Sequence, residues 1–206
     1  MLHIWGRLSS INVRKVVWAA QEAGVPFKRT DAGAAFGINH TPEYLRLNPN
    51  ALVPTLQDGD VTLWESNVIV RYLATQYTQA GLLPPTVAQR FEAEQWMDWQ
   101  QTTINPAGRN AFIQLIRTAA EQRQPERLRK SVAATEPLMA LLDRHLSQRA
   151  FMLGEQFGMA DIPLGCEVHR WFGLPQSRPA WPHLERWFAA LCARAASKGV
   201  LDLQLS

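Results

Sequence analysis

The spacing of apolar residues changes once along this chain of 206 residues, near Tyr77, and that change limits the fold more than any other feature. Before it, short runs such as Leu2-His3-Ile4-Trp5, Phe27-Lys28-Arg29-Thr30 and Val61-Thr62-Leu63 have the length and composition of strands, and segments of helical spacing separate them. After the linker Gly81-Leu82-Leu83-Pro84-Pro85 the strand patterns cease. Phe91, Gln95, Trp96, Trp99 and Thr103 trace one helix, Leu128, Val132, Met139 and Leu142 a second, and Leu184, Trp187, Phe188 and Leu191 a third. A hydrophobic content of 47% is enough for each part to build its own core. The expected organisation is α/β plus all-α: a mixed domain over 1–80, a linker over 81–86 and an all-helical domain over 87–206.

Within the first domain, Gly6 to Ser10 form a turn after the opening strand. Val13, Val16, Val17 and Ala20 then mark one face of a helix that Gly24 and Pro26 bring to an end. A second strand follows at Phe27. Further along, Val53-Pro54 precedes Thr55-Leu56, and Gln57-Asp58-Gly59-Asp60 reads as the turn of a hairpin that returns through Val61-Thr62-Leu63 and ends at Trp64. Val68, Ile69, Tyr72 and Leu73 open another helical pattern, with Glu65 and Ser66 in its first turn. The order is β-α-β-α-β-β-α, a thioredoxin-like arrangement.

Three places in this domain carry chemistry. Val53-Pro54 is a candidate cis peptide, which would reverse the chain and leave the Val53 amide and carbonyl facing outward, able to pair with the cysteinyl backbone of a small peptide; an ordinary trans proline at a strand start is the alternative. At the start of the helix after Trp64, free amides and the dipole suit an α-carboxylate bound by Ser66, while the Glu65 carboxylate suits the neighbouring α-ammonium. Ser10 and Asn12 sit where the first strand passes to the first helix, the end that favours anions. A bound thiol with a pKa of roughly 8.5 is about 3% thiolate at neutral pH, and lowering that pKa by about two units takes about 2.7 kcal/mol. A hydroxyl hydrogen bond to sulfur is of that size. Ser10 is the first candidate donor and Asn12 the second, with simple helix capping as the alternative role for Ser10, Asn12 and Ser66.

Ser10-Ile11-Asn12-Val13-Arg14-Lys15-Val16, Asn48-Pro49-Asn50, Val53-Pro54-Thr55-Leu56 and Trp64-Glu65-Ser66-Asn67 together resemble the soluble glutathione S-transferases, and the resemblance extends through both domains. It is nearest to bacterial serine-type or theta-like members, in which a segment like Phe36-Gly37-Ile38-Asn39-His40 precedes Thr-Pro-Glu-Tyr-Leu. The resemblance implies a cytoplasmic homodimer that conjugates the glutathione thiolate to small electrophiles, with glutathione as co-substrate. It implies that Ser10 activates the sulfur, Asn12 reaches it too, Val53 with Pro54 presents the backbone edge, Glu65 and Ser66 hold the γ-glutamyl end, and His40 assists at the glycyl carboxylate. An electrophile pocket is implied over Ser10 between the domains, with Trp99, Thr103, Phe112 and Trp171 as candidate lining; core packing is the competing role for each. Gly154 to Leu164 resembles the family's buried capping segment, where Asp161 bonds backbone amides and Gly158 replaces the usual Ser or Thr, leaving half of a capping box. Ala51 replaces a frequent His, Lys or Gly, so the glycyl end has fewer side-chain contacts. Ser10 in place of Cys argues against the members that form a mixed disulfide. Glutathione-dependent peroxidase, reductase or dehalogenase chemistry uses the same residues, and a non-catalytic ligand-binding protein is a third reading.

Other classes fit poorly. The net charge is only +3, with 21 basic residues scattered among 18 acidic ones, so nucleic acid is a poor partner. The densest basic run, Arg123 to Lys130, includes Glu126 and reads as a solvated face. No apolar stretch approaches the roughly 20 residues that span a bilayer, and Met1 leads straight into a strand, which sets the expectation of no membrane and a cytoplasmic location. The five His residues share no metal-ligand spacing, so no metal is expected. Cys166 and Cys192 lie in apolar helical contexts and are expected to be buried free thiols.

Overall fold

Four strands form one sheet: β1 (Leu2–Trp5), β2 (Phe27–Thr30), β3 (Thr55–Asp58) and β4 (Val61–Trp64), in the order β2-β1-β3-β4. β1 and β2 are parallel, as a helical crossover requires, whereas β3 runs antiparallel to both β1 and β4. The crossover is α1 (Ile11–Glu22), whose Val13, Val16, Val17 and Ala20 are buried as their spacing predicts. Its end is a full Schellman motif: Gly24, at φ +64°, donates its amide to Gln21 O, and Val25 N donates to Ala20 O. The computed structural model describes residues 1–206 and divides them into the units Met1–Pro84 and Pro85–Ser206.

The hairpin turn is tighter than the sequence suggests. Gln57 and Asp58 continue β3, opposite Thr62 and Val61, so only Gly59 and Asp60 make the turn. Gly59 has φ +57° in the first central position, where type II′ hairpins call for glycine. Asp58 has a further use, because its Oδ2 accepts from both Tyr72 (3.0 Å) and Tyr77 (2.8 Å), tying the hairpin to α3 (Ser66–Gln76) and the residue that caps it. Between the two halves of the sheet, α2 (Pro42–Leu47) is capped by Thr41, whose hydroxyl accepts from Tyr44 N at 3.3 Å. The core beneath the sheet is Leu2, Ile4, Leu56, Ile69 and Leu73, each essentially unexposed. Burial of each such side chain contributes about 1.5–3 kcal/mol.

The second unit is helical: α4 (Val87–Trp99), α5 (Asn105–Phe112), α6 (Pro125–His145), α7 (Asp161–Phe172) and α8 (Pro182–Cys192). Between α4 and α5 the helix widens to π geometry over Gln100–Ile104. Pro106 explains this, because it can donate no hydrogen bond to the carbonyl four residues back and its ring crowds that carbonyl. The inward face of α4 differs from the expected stripe. Ala93 and Met97 are buried, followed by Gln100 and Ile104, while Phe91 is 64% exposed. Gln100 Nε2 donates to Glu167 Oε2 (2.9 Å), and Arg170 pairs with the other Glu167 oxygen and donates to Asn105 Oδ1 (3.0 Å), so both carboxylate oxygens of this buried ion pair have a donor.

Asp161 is wholly buried at the start of α7. Its Oδ1 accepts from Met152 N (2.9 Å) and Trp187 Nε1 (2.7 Å), and its Oδ2 from Gly158 N (2.9 Å), so the amide role expected from sequence is joined by an indole on α8. Burial raises its pKa to about 6 against these three donors. Cys166 is buried, but Cys192 is exposed: Leu184, Trp187 and Leu191 turn inward on α8, which leaves the next position facing out. Glu126 pairs with Arg129 and Lys130 on the exposed start of α6, as the solvated-face reading requires. No helix is long and apolar enough to cross a membrane.

Candidate active site

The first candidate group forms where β1 ends. Gly6, at φ +146°, closes the strand, and a side chain there would meet Val13 Cγ2 at 2.4 Å and Val53 Cβ at 3.2 Å. The first turn of α1 and the Val53-Pro54 bend therefore adjoin through the bare face of this glycine. Buried Arg14 anchors the loop between β1 and α1 by donating Nε to Leu8 O at 2.7 Å. Ser10 occupies the N-cap position with extended backbone, yet its hydroxyl makes no capping bond. The capping alternative is thus not what the hydroxyl does. Its backbone instead serves the helix, accepting from Val13 N (3.1 Å) and Arg14 N (3.0 Å). Two residues on, Asn12 Oδ1 is buried with no hydrogen-bond partner.

Val53-Pro54 is cis. No hydrogen bond occupies the Val53 backbone, whereas the carbonyl just before it is held firmly. Leu52 O accepts from Tyr44 Oη (2.6 Å) and Asn48 Nδ2 (2.9 Å). Tyr44 has only one hydroxyl proton, so in its 2.8 Å contact with Thr55 Oγ1 the threonine donates, and Thr55 in turn accepts from Asn48 Nδ2 at 3.2 Å. Asn48 Oδ1 accepts from Asn50 N at 3.0 Å. This buried network explains why the Asn48-Pro49-Asn50 motif accompanies Val53, a connection that motif order alone does not reveal. Ala51 has φ +55°, the left-handed region, and its carbonyl accepts from Asn39 Nδ2 at 2.6 Å. That conformation accounts for glycine as a frequent residue at the equivalent place.

Glu65 and Ser66 form the second group. Glu65 precedes α3 with φ +70° and ψ +108°, a region that non-glycine residues seldom enter, and such strain is concentrated at binding and catalytic positions. Its carboxylate is exposed and makes neither ion pair nor hydrogen bond. Ser66 is the first residue of α3 and only 3% exposed. Lys15, on α1, donates to its hydroxyl at 3.4 Å. Lys15 has no exposed surface, and sequence reasoning assigns it no role of its own beyond its place in the Ser10–Val16 motif. His40 is exposed and makes no side-chain hydrogen bond.

In the second unit the four candidate residues are not gathered together. Trp99 and Thr103 are partly exposed, and Trp99 packs edge-on against Trp96 with ring centroids 5.4 Å apart. Phe112 lies about 20 Å further along the same helical run, at 1.5 Å per residue, beneath the Arg117 and Arg170 guanidinium groups. Trp171 is 2% exposed and packs toward Gly108, at which a Cβ would lie 3.6 Å from its ring. Phe112 and Trp171 are core residues. No group of three or more His, Cys, Asp or Glu side chains is placed to hold a metal ion.

Known proteins share both units. Residues 1–75 match the glutathione S-transferase N-terminal domain, and residues 120–190 the glutathione S-transferase C-terminal domain. Glutathione S-transferase GstB of Escherichia coli is 39% identical over 208 residues, covering 100% of each chain. Glutathione S-transferase 3 of Zea mays is 28% identical, covering 95% of this chain and 90% of its own. Among solved structures, the theta class glutathione S-transferase from Xanthomonas axonopodis pv. citri with glutathione bound superposes with a TM-score of 0.96 at 44% identity, covering 100% of this chain and 99% of that one.

Proposed function

This chain belongs to the glutathione S-transferase family, and we propose that it transfers the glutathione sulfur to small electrophiles with Ser10 as the group that holds the thiolate. The reading rests on one observation above others: the Ser10 hydroxyl, at the N-terminus of α1, is left out of helix capping while the helix is otherwise complete. A hydroxyl so placed donates to a sulfur anion, and the helix end favours the same charge. Asn12 is the neighbouring polar group on the sulfur side. The free Val53 edge with Pro54 pairs with the cysteinyl backbone, Ser66 and the first amides of α3 take the γ-glutamyl carboxylate, Glu65 takes its ammonium, and His40 reaches the glycyl carboxylate. The thiolate then attacks an electrophilic carbon, forming a C–S bond as a leaving group departs with its electron pair or as a double bond accepts the pair and then a proton.

The first unit serves as the glutathione-binding domain and the second supplies the apolar surroundings of the electrophile. Trp99 and Thr103, both partly exposed, are the candidates there, while Phe112 and Trp171 belong to the core. The protein acts in detoxification, in the cytoplasm, as a homodimer. Leu52, Val87 and Phe91, exposed by 64%, 72% and 64%, are apolar surface of the kind that a second copy covers. The test is direct: incubate the protein with glutathione and a panel of aryl halides, halogenated acids, isothiocyanates and hydroperoxides, and identify products by mass. Conjugates support transfer; glutathione disulfide alone, with reduced hydroperoxide, assigns the site to peroxidase chemistry instead.

A further inference from the structure

Lys15 has no exposed surface, a rare state for lysine, and its Nζ lies 3.4 Å from Ser66 Oγ. It sits on α1 five residues after Ser10, and α1 packs directly on α3. An ammonium can only donate, so in this contact the serine oxygen accepts and its own proton must point to another acceptor. Ser66 begins α3, where unfilled amides and the helix dipole already favour an anion. A positive charge fixed behind that hydroxyl, away from water, strengthens the same preference.

We propose that Lys15 is a positioning residue for the α-carboxylate of the γ-glutamyl group. It turns the Ser66 proton outward and places its ammonium behind the subsite, so that α1 builds both the thiol end and the glutamyl end of the site. The proposal rests on reading Ser66 as the carboxylate contact. It predicts that Lys15 governs affinity and leaves the thiol alone.

Calorimetry with three ligands tests it: glutathione, the analogue whose glutamyl residue is replaced by glutaryl and so lacks the α-amine, and the analogue carrying 4-aminobutanoyl, which lacks the α-carboxylate. Lys15→Met should weaken glutathione and the glutaryl analogue by roughly tenfold to hundredfold, the range of one charge-assisted contact, and the 4-aminobutanoyl analogue by less than about twofold on the same reasoning. The pKa of bound thiol and kcat at saturating glutathione should stay as in the unsubstituted protein. Lys15→Arg should restore most of the affinity, and Lys15→Gln, with a donor but no charge, should fall between. Lys15→Gln also serves in full if Lys15→Met does not fold. An equal loss for all three ligands, or no loss for any, overturns the proposal. Should the unsubstituted protein bind glutathione and the 4-aminobutanoyl analogue equally well, the carboxylate subsite itself is wrong, and the role of Lys15 falls with it.

Discussion

Replacing Gly6 by alanine puts a carbon where none fits, at the point that joins the first turn of α1 to the Val53 bend. The new Cβ would stand 2.4 Å from Val13 Cγ2 and 3.2 Å from Val53 Cβ, at a backbone φ of +146°. The conformation alone costs about 1–2 kcal/mol for a residue with a side chain. Overpacking adds about 1–3 kcal/mol, because both valines are attached to elements that cannot retreat independently. The sum of about 2–5 kcal/mol is a large part of the roughly 5–15 kcal/mol that holds a domain folded. With a urea m-value of about 2–3 kcal/mol/M, the unfolding midpoint followed by tryptophan fluorescence should fall by about 1 M or more. Gly59→Ala is the control. It has φ +57° with nothing within 4 Å of the added carbon, so it should show the conformational cost alone. Glutathione affinity should also drop in Gly6→Ala and hold in Gly59→Ala, since only the former displaces Val53. Adding Val13→Ala to Gly6→Ala should recover part of the loss, a coupling that distant sites would not show. Equal midpoints for Gly6→Ala and Gly59→Ala would refute the packing argument.

Three further outcomes follow from other parts of the site and its supports. Glu65→Ala should weaken glutathione binding by roughly tenfold or more while leaving the unfolding midpoint nearly unchanged, because its carboxylate has no partner to lose within the fold; unchanged affinity in calorimetry contradicts its role at the ammonium. Thr55→Val keeps the shape but removes the hydroxyl shared by Tyr44 and Asn48, and should cost about 1–3 kcal/mol in urea unfolding; no change means that the network is not strained by the loss. Burial raises Asp161 from 3.8 to about 6, so between about pH 4 and pH 6 the folded chain keeps a proton that the unfolded chain has released. The stability of the unsubstituted protein relative to Asp161→Asn should therefore fall as pH rises through that window, by at most about 3 kcal/mol, and stay level above it; a difference that does not vary with pH contradicts the shift.

Strands and caps were legible in the sequence because they depend on neighbours. The run before Gly24, the Val53-Pro54 pair and Gly59 each carry a backbone requirement that few residues meet, and each appears as expected. Other features depend on what distant segments bring. Lys15 and Arg14 form a charged pair in a helix, which spacing assigns to solvent, and only the approach of α3 and the Leu8 carbonyl reveals why both are buried. Likewise, the aromatic residues suggest one face of the long helical run, whereas Ala93, Met97, Gln100 and Ile104, at the ordinary i, i+4, i+7, i+11 spacing, form the buried one and Phe91 turns outward. The three aromatic lining candidates, Trp99, Phe112 and Trp171, fare differently from one another because an aromatic at helical spacing serves core and pocket alike.

The central claim is that Ser10 holds the sulfur as an anion, and the pKa of glutathione bound to the protein tests it most directly. Titrating the ultraviolet absorbance of the thiolate in the complex should give a pKa about two units below the roughly 8.5 of a free thiol, with Ser10→Ala returning it toward that value and lowering turnover while affinity stays nearly intact. If the Ser10→Ala complex titrates as the unsubstituted one does and turns over as fast, Ser10 is not the activating group, and the same titration on Asn12→Ala decides whether its neighbour is.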